Sequence, residues 1–360
     1  MKIHHLPARR LTDELASHWC EILRKTPQLV GPFFRPEFTV AVASVRDDVE
    51  VAVLEEGGEI LGCFPYQRTR WNVAQPVGGP LAGFQGVIAE PEVYWLPGEI
   101  LAACKLSAWE FNQQLAWQTP LAPHSSRRAA SPVMDLSGGY KPWLESRVAA
   151  GGPLSQTLGQ VHQLNEQSQS LEFTWHTTDA AVFEQLLAWC LPANGTTGRD
   201  DLFRQPWVVT LLEMLRQAAG TNLRGILSAL RVDGRIVAIH FALQADSILH
   251  SWLAAHDPDQ IAGCAGQILL LQIAQHAANN GVQRIHLGHG DWDDRQWFAT
   301  DVIEVAAGCF DRRPFAAAIR KGWAATRDWV GGSTMCETVQ HPTRLIGPLR
   351  QWVACDARNR

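Results

Sequence analysis

The sequence predicts an α/β chain of the mixed α+β class, built as two domains of similar plan. Three observations predict it. A chain of 360 residues, 46% hydrophobic and 19% charged, can bury more than one core. A two-stranded hairpin pattern occurs twice, about one domain length apart. The second half also contains a strand, a loop, a helix and a strand in succession, the order of a βαβ unit.

Composition narrows the function classes. With 31 Lys and Arg against 36 Asp and Glu, the net charge is -5. No basic excess is available to neutralise a phosphate backbone, so no nucleic-acid partner is expected. The N-terminus Met1-Lys2-Ile3-His4-His5-Leu6-Pro7 lacks the apolar core of a signal peptide. No stretch reaches the roughly 20 apolar residues of a membrane span, and a cytoplasmic location is expected. The 8 cysteines are scattered without a CxxC pair, which speaks against a zinc site and against a disulfide framework. The 15 tryptophans follow no short repeat, and they read as core and groove fillers rather than base-stacking platforms.

The elements follow from period and punctuation. An N-terminal helix is expected over 11–25. The first hairpin pairs 49–54 with 59–64 through Glu55-Glu56-Gly57-Gly58, and the second pairs 226–232 with 235–244 through Asp233-Gly234. In the second hairpin Val237, Ile239, Phe241 and Leu243 are expected on one face, with Ile236, Ala238, His240 and Ala242 on the other. Both faces are mostly apolar, so that strand should be central. An alternating segment follows near 107–115, and a polar stretch, 119–131, then interrupts the first half. The Gln-rich segment 156–169 reads as a solvated connecting helix. The boundary is placed there, giving domains 1–155 and 156–330 and a C-terminal segment 331–360. The second half reads as helix 180–190, polar loop 192–201, helix 205–219, the hairpin, strand 248–255, helix 267–280 and strand 283–287. Gly281 is the expected C-terminal glycine of its helix.

Between strand 248–255 and its following helix runs His256-Asp257-Pro258-Asp259-Gln260-Ile261-Ala262-Gly263-Cys264-Ala265-Gly266-Gln267. A helix start leaves its first N–H groups unpaired, and the residues here are small. Those donors and the helix dipole favour an anion such as a diphosphate. The competing reading is a glycine turn entering a packed helix. Cys264 has no evident partner base and reads as a packing residue rather than a nucleophile.

From Ser228 to Phe298 the chain resembles the CelD/BcsL-type acetyltransferases, a GNAT family associated with cellulose and other exopolysaccharide biosynthesis. The residues that carry the resemblance begin with Leu230-Arg231-Val232-Asp233-Gly234-Arg235-Ile236-Val237-Ala238 and Trp252-Leu253-Ala254-Ala255-His256-Asp257-Pro258. They continue with Gly266-Gln267-Ile268-Leu269-Leu270, Gly281 and Gly288-His289-Gly290-Asp291. The first half is similar at Gly31-Pro32-Phe33-Phe34-Arg35-Pro36-Glu37-Phe38 and at Met134-Asp135-Leu136-Ser137-Gly138-Gly139-Tyr140. Where the family usually has an aromatic-lysine pair after the Gly-Asp, this chain has Asp294-Arg295, and its connecting helix is Gln-rich rather than basic.

The resemblance implies two GNAT-like domains, each a central mixed sheet flanked by helices. The first would be degenerate and on the acceptor side. The second would hold acetyl-CoA or another acyl-CoA as co-substrate, at the splay between strands 248–255 and 283–287. Gly263, Cys264, Ala265, Gly266, Gln267 and Ile268 would bind the coenzyme. Direct attack by an acceptor amine or hydroxyl needs positioning, a polarised thioester and a base. His289 and Asp291 are the base candidates, against the plainer readings of an exposed loop histidine and a turn cap. Arg295 is a candidate for the acceptor's anionic group, against an ordinary surface charge. His250 and Trp252, on one strand face, are candidate acceptor contacts, against a buried structural histidine and a core aromatic. The group His286, His289, Asp291, Asp293 and Asp294 matches neither a zinc helix motif nor a calcium loop, so no metal is expected. The expected partner is a small-molecule or saccharide acceptor, with association to polaysaccharide-synthesis machinery implied by the resemblance. A Fem-like transferase drawing on aminoacyl-tRNA and a non-catalytic scaffold are the alternatives.

Overall fold

The computed structural model describes residues 1–29, 31–152, 154–166, 170–191, 202–218, 222–257, 265–288 and 296–313. Its first half contains β1 (Lys2–Pro7), α1 (Asp13–Lys25), α2 (Pro36–Val45), β2 (Val49–Glu56), β3 (Glu59–Arg68), β4 (Val73–Gln75) and β5 (Ile88–Ala89). There follow α3 (Pro97–Ala103), β6 (Ala108–Leu115), β7 (Ser125–Asp135), α4 (Tyr140–Ala149) and α5 (Leu154–Glu166). The second half contains β8 (Leu171–Thr174), α6 (Ala180–Cys190), α7 (Pro206–Gln217), β9 (Arg224–Val232), β10 (Arg235–Ala245) and β11 (Ile248–His256). It continues with α8 (Ala265–Asn279), β12 (Arg284–His286) and β13 (Asp301–Asp311).

Local chemistry accounts for several of these elements. The α1 helix starts where Thr12 accepts the Leu15 N–H, carries Asp13 and Glu14 in its first turn, and buries Leu15, Trp19 and Ile22 along one stripe. At the tip of the β9–β10 hairpin, Asp233 and Gly234 both have positive φ, 51° and 75°. That is the mirror-image turn whose twist suits two-residue loops. At the end of α8, Gly281 sits at φ 78°, and the Val282 N–H reaches back to the Ala277 carbonyl.

All thirteen described strands join one sheet, in the order β1-β2-β3-β4-β6-β13-β7-β12-β11-β10-β9-β8, with β5 pairing β3 off this path. Both halves repeat a plan of antiparallel hairpin, third antiparallel strand, helix and parallel strand. In the first half this is β2, β3, β4, α3 and β6; in the second it is β9, β10, β11, α8 and β12. β10 is central, as its two apolar faces require.

Three expectations need correction. The polar stretch 119–131 does not interrupt the sheet. From Ser125 it becomes β7, which pairs β13 along most of its length and β12 at its end. Arg127 and Arg128 stay exposed, so the strand carries no apolar alternation at its start. Second, Val237 leaves the face of Ile239, Phe241 and Leu243. The β9 register jumps between Ile236 and Ala238, and the bulged Val237 packs with Ala238 and Ala242 in the core under α8. Third, the segment 156–169 is helical through Glu166, but one face of α5 is not solvated. Leu154, Leu158 and Val161 pack into that same core. Residues 167–169 and the loop 192–201 lie outside the described residues.

Candidate active site

The site is built where β11 and β12 part. They run parallel through three pairs, the last joining His250 to His286. Beyond it β11 stays on β10 as far as His256, whereas Leu287 donates its N–H to the Pro132 carbonyl of β7, 2.9 Å away. Among the described residues no strand lies between them, so the edge of β11 from Ser251 onward faces an open gap. The register of β11 against β10 skips Trp252, and this bulge increases the twist that carries β11 away.

One face of the gap is roofed by α8. His240, Ser251, Ala254, Gly266, Leu269, Leu270, Ile273 and Leu287 line a recess there. Ala265 and Ile268 are buried and fix the helix start onto the sheet. Among the described residues, a Cβ added to Gly266 would meet nothing within 4 Å, so they leave open space beside it. Gln267 accepts a hydrogen bond from the Thr157 hydroxyl, which ties α5 to the first turn of α8. Inside the recess His240 Nε2 lies 2.8 Å from Ser251 Oγ.

The opposite face is closed by the first half of the chain. Gly31, at φ 127°, turns the backbone so that Pro32, Phe33 and Phe34 wedge against the sheet. Phe33 meets His250 edge-on at 4.8 Å and Trp252 at 5.9 Å between ring centroids. Phe84 packs on both His250 and His286, which themselves stand edge to face at 5.8 Å. The Trp252 indole N–H donates to the Leu81 carbonyl at 2.7 Å. His286 is fully buried, and neither ring nitrogen has a hydrogen-bond partner. Burial, helped by the nearby Arg284, pushes its pKa down to about 3, so the ring is neutral.

Of the sequence-expected site residues, the structure brings Ala265, Gly266, Gln267 and Ile268 to the roof of the gap, and His250 and Trp252 to its opposite face. Gly263, Cys264, His289, Asp291 and Arg295 lie outside the described residues. The sequence does not single out Ser251, and it offers His286 only within a group that matches no metal motif; among the described residues no His/Cys/Asp/Glu group is placed to hold a metal. A serine inside a strand gives no signal of its own. Two of the groups that enclose His286, Phe84 and the Gly31 turn, come from the other half of the chain.

The first half holds a corresponding pair, β4 and β6, whose last parallel pair is Ala74 with Trp109. This second gap is filled by the chain itself. Gln85 bridges to Gln114, with its N–H on the Gln113 carbonyl at 2.9 Å and its carbonyl taken by the Leu115 N–H at 3.0 Å. The Gln118 side chain then clamps Val87 through both its N–H, 3.0 Å, and its carbonyl, 2.7 Å. Ile88 and Ala89 pair with Cys63 and Gly62, where a Cβ on Gly62 would come within 2.8 Å of the Ile88 carbonyl.

This geometry agrees with what the chain is similar to. Residues 155–296 match the model of the acetyltransferase (GNAT) domain. FemX has a TM-score of 0.54 at 9% identity, with 86% of this chain and 97% of that one covered. A tandem GNAT protein from the clavulanic acid biosynthesis pathway has 0.51 at 11% identity, covering 87% and 99%. L-PGS from Bacillus licheniformis has 0.51 at 10% identity, covering 88% and 96%. No match is found among curated proteins. The class so defined is the tandem GNAT fold. The open gap between β11 and β12 lies inside the stretch that matches the GNAT acetyltransferase domain.

Proposed function

We propose that the chain transfers an acyl group, acetyl in the first instance, from acyl-CoA to an amine or hydroxyl of a sugar or polysaccharide precursor. The observation that supports this reading is the gap between β11 and β12, roofed by a helix with open space at Gly266. The main chain around Gly263, Cys264, Ala265, Gly266, Gln267 and Ile268 holds the diphosphate at the helix start. The coenzyme arm enters along the unpaired edge of β11, whose N–H groups polarise the thioester oxygen. His250 and Trp252, packed under Phe33, form the wall on the acceptor's side of the gap. His289 or Asp291 takes its proton, and Arg295 pairs with an anionic group on it. The saccharide acceptor and a link to polysaccharide-synthesis machinery rest on the sequence resemblance to the CelD/BcsL-type enzymes.

Acetyl-CoA at a hundred times its dissociation constant should stabilise the protein by about 2.7 kcal/mol in a chemical or thermal melt. No shift with any acyl-CoA would sink the reading. A Fem-like transfer from aminoacyl-tRNA is the second reading, supported by the shared architecture with FemX. The net charge of -5 speaks against it, and salt-sensitive tRNA binding would favour it.

A further inference from the structure

The recess under α8 contains a polar pair that the reading above does not use. Apart from His240 and Ser251, its lining is Ala254, Gly266, Leu269, Leu270, Ile273 and Leu287. His240 is 2% exposed and Ser251 is 9% exposed. A hydroxyl and an imidazole set among aliphatic side chains cost desolvation that two apolar residues would avoid. Ser251 is also the first residue of β11 beyond its last pair with β12, at the apex of the gap.

We propose that Ser251 is a catalytic hydrogen-bond donor to the departing sulfur of the acyl-CoA, with His240 as its positioning residue. This rests on the acyl-CoA reading of the gap. With its proton on Nε2, His240 donates to Ser251 Oγ and leaves the hydroxyl hydrogen to point into the recess. The acceptor's nitrogen or oxygen attacks the thioester carbonyl carbon and forms the new bond. The carbon–sulfur bond breaks, its electron pair goes to sulfur, and the acceptor's proton goes to the base. Ser251 keeps its proton, because a hydroxyl is far less acidic than a thiol, and hydrogen-bonds the sulfur as negative charge builds. The donor is set in place before the reaction by His240, so its orientation costs nothing at the transition state.

The test compares the full-length parent with Ser251→Ala, Ser251→Thr and His240→Phe variants. Acetyl-CoA binding is measured by calorimetry, and CoA release from acetyl-CoA by chromatography. The acceptor is whichever amine or sugar of a broad panel the parent uses, and water where it uses none. Ser251→Ala should bind acetyl-CoA within about threefold of the parent while kcat falls about 10- to 100-fold, the mark of an interaction made in the transition state. Ser251→Thr, which keeps the hydroxyl, should recover most of that loss, and His240→Phe should fall in the same direction with a melt close to the parent's. Parent-like kcat in Ser251→Ala overturns the proposal, as does an acetyl group found on Ser251 by mass spectrometry. Failure of the parent to bind acetyl-CoA removes the acyl-CoA reading and this proposal together. Binding with an unaffected Ser251→Ala removes this proposal alone.

Discussion

His286 is a polar side chain in an apolar, fully buried setting. Its ring is sealed between Phe84, His250 and the Gly31 turn, with neither nitrogen hydrogen-bonded, so charging it in the folded state is unfavourable. In the folded chain it takes a proton only near pH 3, against 6.5 as the ordinary value. Between those limits the unfolded chain binds more protons. This contribution to stability is therefore whole above pH 6.5 and is lost as pH falls toward 3. Between pH 7.5 and pH 5 the loss should be about 2 kcal/mol. Urea melts of the parent and of His286→Leu at the two pH values isolate it. The variant should be equal or more stable at pH 7.5, because no polar group is left unpaired, and it should lose less on acidification. Equal pH slopes for the two proteins would refute the assignment. The sequence marks His286 only as a polar residue in an apolar strand. Gly31, Phe33 and Phe84, which seal its surroundings, sit far away in an irregular part of the chain where no period announces them.

The two β–α–β units share a plan but not a state. β11 is nine residues long and keeps β10 to its end, so the gap opens beside β12. β4 is three residues long, and when it ends the segment from Gln85 to Ala89 takes the space between β3 and β6. The main-chain donors and acceptors that an extended coenzyme arm would need there are already paired. Titration with acetyl-CoA should accordingly saturate at one molecule per chain, read by calorimetry. Two equal sites would show that the first-half gap opens in solution. The hairpins and the α8 unit could be read from the sequence because alternation, Asp-Gly and a C-terminal glycine report local conformation. The filled gap could not, because residues 83–87 have no periodicity and the bonds that hold them reach across the sheet, from the Gln85 main chain to Gln113 and Leu115 and from Val87 to the Gln118 side chain. β7 stayed hidden for a related reason: its flanking strands, β12 and β13, come from much later in the chain.

The boundary that the sequence suggests near residue 155 would divide the chain but not the sheet. β13, the last described strand of the second half, lies between β6 and β7 and pairs with both. β7, from the first half, carries β12 on its other edge. The largest hydrophobic core likewise mixes Trp19, Phe33 and Phe38 with Phe183, Leu211, Ile239 and Phe241. Neither half thus completes its own sheet, and the duplication inferred from the two hairpins concerns plan rather than independent folding. Without β13, residues 1–155 would expose one edge of β6 and of β7 together with Phe111 and Leu115, which are buried in the intact chain. Bare edges of that kind template association. The fragment 1–155 expressed alone should be aggregated or unfolded. The full chain should melt in one transition, with calorimetric and van't Hoff enthalpies in agreement. A soluble 1–155 fragment with native-like near-UV dichroism would mean that β6 and β7 pair directly when β13 is absent, and that the strand is an insertion into a finished domain instead of the element that joins the two.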